Sequence, residues 1–306
     1  MFLLPAPPAH VVILIEENRS PADIVGNAKL PNFQALIAKG ALFTGSHAVA
    51  HPSLPNYFAV FTGEANTDGD RCSDKPTDAS GDLPMPAGLS ATMPTLASEL
   101  AKTGRSFTGY AEGLPTPGYV ACYGRGGSLF SKYYKRHVPW AFFTRAGHRG
   151  LPRSSLLDDD VNQPWTSFPS PDRYDRLPTV AIVVPNLVHD MHGTGIPLET
   201  SAALEASADA WVGANIMPLA AWARDPKNNA LLIVTWDESD RLPHRPDTNA
   251  ISTIFVGAMV KPGTYGESIT HYGVLATIEG FYGLTRLGKS AGAAPITDCW
   301  IEKQQR

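Results

Sequence analysis

The chain has 306 residues, 43% of them hydrophobic and 18% charged, enough apolar material for one large α/β domain over residues 1–306 with a substantial core. Its formal net charge of -4 includes no basic block, which excludes a general surface for nucleic acid and leaves any anionic substrate to a local site. No apolar run approaches a bilayer span, so stable membrane insertion is not expected, and Met1 to Ala9 is too short and proline-rich for a signal peptide, as in a soluble mature form.

The first element is the apolar run Val11 to Ile15, which breaks into Glu16, Glu17 and Asn18. A buried parallel strand delivers polar groups in this way at its C-terminal end, where open α/β sheets bind ligands. Side chains alternate along a strand, so only one of the two glutamates points into a site. A carboxylate beside an amide oxygen can hold a hard cation; the alternative is that Glu17 and Asn18 cap the following turn. Leu30 to Gly40, with apolar residues at 33, 36 and 37, reads as a short helix, and Ala41 to Ala50 as extended. The two prolines of His51-Pro52-Ser53-Leu54-Pro55-Asn56-Tyr57 impose a turn, and a helix then runs to Gly63. Ser53 therefore sits at or just before a helix N-terminus, where free N–H groups favour an anion; a simple N-cap is the alternative.

Residues 64–90 read as a surface loop, whose Asp68, Asp70, Asp74, Asp78 and Asp82 do not follow the EF-hand spacing. Pro94 to Gly104 is a second helix and Ser106 to Tyr110 a strand. Residues 113–178 are loop-rich and read as an insertion that walls a pocket, with Lys135, Arg136 and His137 either binding phosphate or simply solvated. Thr179 to Val184 is a strand whose exit carries Asn186, His189, Asp190 and His192. Leu204, Ala208, Trp211, Val212, Ile216 and Leu219 form the stripe of one helix from about Thr200 to Arg224, with Trp211 and Trp222 in the core. Ala230 to Trp236 is a strand ending in Asp237 and Glu238; Ile251 to Val256 is another, and His271 opens the last helix.

Three strand exits thus carry acid, amide or histidine groups, and the C-terminal ends of parallel strands share one edge, so these groups can meet around one cation. The oxygen-rich set suits Mg²⁺, Mn²⁺ or Ca²⁺, and Zn²⁺ is also compatible with carboxylates. Cys72, Cys122 and Cys299 have no metal-motif spacing. A disulfide between the two loop cysteines, Cys72 and Cys122, is the preferred pairing, and three buried thiols the alternative.

Glu17-Asn18-Arg19-Ser20 after an apolar strand, the block from His51 to Tyr57, Tyr134-Lys135-Arg136-His137-Val138-Pro139-Trp140, Pro185-Asn186-Leu187 with Asp190-Met191-His192, and Thr235-Trp236-Asp237-Glu238 together resemble the bacterial acid phosphatase and phospholipase C phosphoesterase family. The blocks run in that family's order over most of the chain. The resemblance implies an alkaline-phosphatase-like α/β fold, a mostly parallel central sheet flanked by helices, and a single divalent cation held by Glu17, Asn18, Ser53, Asp237 and Glu238. Two blocks depart from the family pattern: His137-Val138-Pro139 stands where His-Asn-Pro is usual, and Val188-His189 where Cys-Asn is frequent, which removes one disulfide partner.

The expected activity is metal-assisted hydrolysis of a phosphate monoester, a small phosphorylated compound or a phospholipid headgroup. Ser53 is the expected nucleophile, Asn56 an amide donor to phosphate, and His137 and His192 contact phosphate or protonate the leaving oxygen. Asn186, His189, Asp190 and His271 complete the substrate side. A phosphodiesterase or phospholipase C with the same nucleophile, and a non-catalytic phosphate- or lipid-binding module, are the competing readings. Resemblance to secreted phosphoesterases implies a secreted or periplasmic protein with Cys72 and Cys122 joined and Cys299 free.

Overall fold

In the computed structural model, residues 4–65, 85–86, 88–124, 131–148, 151–197, 199–240 and 248–301 are described. The aspartates from Asp68 to Asp82 and the proposed disulfide partner Cys72 lie outside the described residues.

Eight strands form one sheet: β1 (His10–Glu16), β2 (Ala41–His47), β3 (Phe107–Ala111), β4 (Asn162–Pro164), β5 (Val180–Val184), β6 (Ala230–Trp236), β7 (Thr253–Gly257) and β8 (Gly263–Thr270). Their order is β4-β3-β5-β1-β6-β7-β2-β8. All neighbours are parallel except β7, which runs antiparallel to both β6 and β2. The sheet is therefore mostly parallel, as expected. The continuous apolar runs of β1, β5 and β6 occupy its centre because both of their faces are covered.

The helices are α1 (Pro21–Ile24), α2 (Pro31–Lys39), α3 (Ser53–Thr62), α4 (Leu96–Lys102), α5 (Ser201–Asn215), α6 (Met217–Ala223) and α7 (His271–Tyr282). Strand alternation sorts them into two layers. Val11, Ile13 and Ile15 pack with Phe58 and Phe61 of α3, Leu96 of α4 and Ile278 of α7. Val12 and Leu14, on the other face, pack with Phe33 of α2, Trp211 of α5 and Leu219 of α6. No helix among the described residues is long and apolar enough to cross a membrane.

The short α1 is absent from the sequence reading, and three further elements differ from it. The helix expected over 200–224 is two helices that meet at Ile216, because Pro218 has no N–H to donate and closes the first helix while starting the second. β8 is not evident from the sequence because it is a sheet edge with half of its residues exposed and no hydrophobic alternation. β4 has only 3 residues and ends on Pro164, at the opposite edge.

Because β5, β1 and β6 are adjacent and parallel, the chain segments carrying Asn186, Glu17 and Asp237 leave at one edge of the sheet. Two antiparallel steps, β6 to β7 and β7 to β2, return β2 to the direction of β1. The chain after His47 consequently emerges at the same edge and begins α3 there.

Candidate active site

At the end of β1 the alternation separates the two glutamates. Glu16 lies on the side of Val12 and Leu14, buried, and neither of its carboxyl oxygens has a hydrogen-bond partner; burial, then the charge of Asp190, pushes its carboxyl well above the usual range. Glu17 turns to the α3 side, where it is fully buried. Asn18 follows with φ 51, a left-handed conformation that asparagine tolerates. This turn directs the Asn18 backbone N–H to Asp237 Oδ1 (3.1 Å) and its side-chain amide to Glu17 Oε2 (3.0 Å).

Ser53 is the first residue of α3 and is 2% exposed. Its Oγ donates to Glu17 Oε2 at 2.9 Å and lies 3.5 Å from Glu238 Oε1. One turn later on the same face, Tyr57 donates its hydroxyl to Glu17 Oε1 at 2.7 Å. A single helix thus fixes both oxygens of one carboxylate. Asn56, expected as a phosphate donor, has its amide engaged elsewhere: Oδ1 accepts from the N–H groups of Val49 and Ala50 (3.0 and 3.1 Å), and Nδ2 donates to the carbonyls of Ala50 and Pro52 (2.9 and 3.3 Å). Its place is to shape the loop that presents Ser53. His51 pairs through Nδ1 with Glu238 Oε2. A cleft of about 410 Å³ opens beside these groups, lined by Asn18, His51, Pro52, Glu238 and Ser239.

The 113–178 segment contributes His137, whose ring stacks on Tyr57 with centroids 5.3 Å apart. Its Nε2 is 3.1 Å from Glu17 Oε1, without hydrogen-bond alignment, and its Nδ1 is 3.4 Å from Asp190 Oδ2. Asp190 holds the next histidine by accepting the His192 backbone N–H at 2.8 Å. His192 Nδ1 lies 2.7 Å from the Gly193 carbonyl, an acceptor only, so Nδ1 carries the proton and Nε2 accepts from Arg136 Nη2 at 2.9 Å. Burial, reinforced by the Arg136 charge, holds the His137 ring well below the usual imidazole range and brings His192 down to about 4. Both rings are neutral in this arrangement.

The remaining expected residues sit at one remove from Ser53. Asn186 Oδ1 accepts from the N–H groups of Val188 and His189 (3.0 and 3.3 Å) and so closes the turn after β5. His189 points to Glu112, Nδ1 to Oε2 2.8 Å, with its ring stacked on Trp211. His271 is buried beneath Asp237, donating from Nε2 to that residue's carbonyl at 2.7 Å, and burial lowers its ring to about 4. Asp190, by contrast, belongs to the centre.

Glu17, Asp190, Asp237 and Glu238 therefore converge as four buried carboxyl groups. Burial and mutual repulsion raise Glu17 well above the carboxylate range, and burial brings Asp237 to about 7. Asp237 Oδ2, Asp190 Oδ2 and His137 Nε2 are buried without a hydrogen-bond partner. Orphaned acceptors on a crowded set of acids are the complement of a cation, and this donor set fits one. Among the described residues, the ligand atoms of Glu17, His137 and His192 also lie within 4.8 Å of one another, a grouping that links the imidazoles to the carboxylate expected to bind metal. Sequence reasoning gave no role to Tyr57, His51 or the Arg136–His192 bond; the spacing of four between Ser53 and Tyr57 is the one signal that marks any of them.

The family model described as the phosphoesterase family matches residues 27–285. The chain is similar to a phosphatidylinositol-3-phosphatase of Mycobacterium tuberculosis, 41% identical over 292 residues that cover 95% of this chain and 83% of that protein. It is 27% identical to an acid phosphatase of Aspergillus fumigatus over 89% of its own length but only 55% of that relative's. Among solved structures, a protein of the alkaline phosphatase superfamily from Vibrio parahaemolyticus superposes with a TM-score of 0.57 at 15% identity, over 95% of this chain and 71% of that one. A lipoteichoic acid synthase of Listeria monocytogenes does so with 0.55 at 14%, over 98% and 78%. At such identities the likeness to these two structures is one of fold.

Proposed function

The chain belongs to the phosphoesterase family, and from that premise we propose that it hydrolyses phosphate monoesters, with Ser53 Oγ as the attacking atom and one divalent cation held by Glu17, Asn18, Ser53, Asp237 and Glu238. The observation that carries this reading is the position of Ser53 Oγ, at the head of a 10-residue helix and between two carboxylates at 2.9 and 3.5 Å. When bound, the cation supplies positive charge that eases loss of the serine proton and offsets charge on phosphoryl oxygens. Glu17 Oε2 receives the Ser53 hydrogen bond and orients the oxygen for attack. Ser53 opens α3, so the positive end of that helix's dipole lies beside its hydroxyl, where phosphoryl charge develops. A Ser53–phosphorus bond forms as the ester bond breaks, and water then releases phosphate from the serine.

The leaving oxygen departs into the cleft, where His51 offers an imidazole to protonate it. His137 and His192, engaged with Glu17, Asp190, Gly193 and Arg136, instead frame the phosphoryl group. The name of the 41% identical relative, a phosphatase of a phosphatidylinositol, supports the monoester class and a phosphorylated headgroup as substrate. The same reading takes the chain as one domain, its 113–178 segment walling the pocket with His137, in a secreted or periplasmic protein.

Hydrolysis of p-nitrophenyl phosphate and of p-nitrophenyl phosphocholine, with chelator and after return of single cations, tests it. Faster monoester turnover that chelator abolishes and one divalent cation restores is expected. Preference for the diester identifies a phospholipase C, turnover of neither ester a binding module, and indifference to chelator overturns the cation.

A further inference from the structure

Of the three basic or imidazole side chains in the run Lys135-Arg136-His137, the first goes into the core, its ammonium 4.5 Å from the centre of the Phe142 ring, and the third reaches Glu17. Arg136 lies between them in sequence and at the rim of the site in space. Its guanidinium rests on Tyr134 at 4.4 Å, and its Nη2 reaches His192 Nε2 at 2.9 Å. The His192 and His137 rings are 5.4 Å apart, and one nitrogen of each lies within 4.8 Å of a Glu17 oxygen. The charge of Arg136 is felt at His137, His192 and Asp190. A second guanidinium near the β1 exit, that of Arg19, is turned to Glu205 Oε1 (2.9 Å) and to the Asn18 carbonyl (2.7 Å).

A phosphate monoester must bring a dianion beside four buried acids, so positive charge at the site, from a cationic side chain as well as from the bound cation, decides whether it binds. The bond from Arg136 to His192 goes to a neutral nitrogen, a weaker acceptor than a phosphoryl oxygen with a full negative charge. We infer that Arg136 is a specificity-determining residue that leaves His192 to grip a terminal phosphoryl oxygen, and so selects monoester dianions over diester monoanions; this rests on the reading of Ser53 and its neighbours as a phosphate-ester site. The planar fork, carried on the Tyr134 face, is suited to two phosphoryl oxygens at once, which a lysine is not.

The test compares the cation-loaded wild type with Arg136→Gln and Arg136→Lys. For Arg136→Gln, kcat/KM on p-nitrophenyl phosphate falls by about 10²-fold, whereas that on p-nitrophenyl phosphocholine falls by about 10-fold or less, with Arg136→Lys between the two. Calorimetric titration with inorganic phosphate, independent of turnover, shows affinity weakened by about 10-fold or more in Arg136→Gln. Equal losses on both esters, or unchanged phosphate affinity, overturn the assignment and leave Arg136 as a support for His192. Should Arg136→Gln fail to fold, Arg136→Lys decides by the same two comparisons. If the wild type cleaves neither ester, the proposed function fails, and the phosphate titration alone judges Arg136.

Discussion

Replacing Tyr57 by phenylalanine removes one hydroxyl from the centre of the site and little else. The ring that stacks on His137 at 5.3 Å stays, whereas Glu17 Oε1 loses its 2.7 Å donor. A hydrogen bond to a charged acceptor contributes about 1.5–3 kcal/mol, equivalent to roughly 10- to 100-fold in cation affinity if Glu17 is a ligand. The pH dependence has a defined sign. The Tyr57 hydroxyl stabilises the ionised form of Glu17 and opposes the rise due to burial, so its loss moves that carboxyl further up. Cation and proton compete for the carboxylate, and the midpoint of cation binding should shift to higher pH in Tyr57→Phe. Competition for Mn²⁺ between the protein and a fluorescent chelator, measured from acidic to mildly alkaline pH, gives both quantities, and circular dichroism checks the fold. Wild-type affinity at every pH would show that Glu17 is not a ligand or that Tyr57 does not orient it.

Asp237→Ala should lose bound cation and turnover together while its circular dichroism stays native, because β6 beneath it remains packed; metal analysis that finds wild-type cation content would remove Asp237 from the ligand set. His271 contributes stability in its neutral form. Its folded value of about 4 lies below the unfolded imidazole's about 6.5, so this stability is present above the higher value and is lost as pH falls through the lower one, by about 3 kcal/mol in total. Urea unfolding of wild type and His271→Gln, whose amide can still donate to the Asp237 carbonyl, should therefore diverge on acidification, and parallel curves would contradict the assignment. Intact mass and peptide mapping without reductant test the Cys72–Cys122 bond expected from the sequence, and a free Cys72 would remove the argument for an exporting pathway; Cys299, buried and with its thiol pushed far up, should react only after denaturation.

The three central strands were legible because each apolar run stops abruptly at polar residues, and a fully covered parallel strand has no other way to reach water. Their adjacency was not legible, since nothing in Val11–Ile15 or Val180–Val184 states that β5 and β6 flank β1. The break at Ile216 was hidden by an apolar stripe that continues across Pro218, and β8 by its exposure at an edge. In the site, the carboxylates could be named from strand ends, but the histidines could not be ranked. Met191, at φ 78, turns the chain so that His192 faces His137 while His189 two residues earlier goes to Glu112. Such a reversal depends on one backbone conformation that residue type does not announce. Asn56 shows the converse: an amide one turn into a helix looks available to a ligand until the loop that folds over it is seen.

Whether Ser53 is the nucleophile is decided by the turnover of Ser53→Ala on p-nitrophenyl phosphate at saturating divalent cation. Saturation separates loss of the attacking oxygen from the weaker cation binding that accompanies removal of a ligand hydroxyl. With Ser53 as nucleophile, kcat falls by about 10³-fold or more while inorganic phosphate still binds. A kcat near that of the wild type would contradict it, leaving Ser53 as a helix cap and a water molecule as the attacking group.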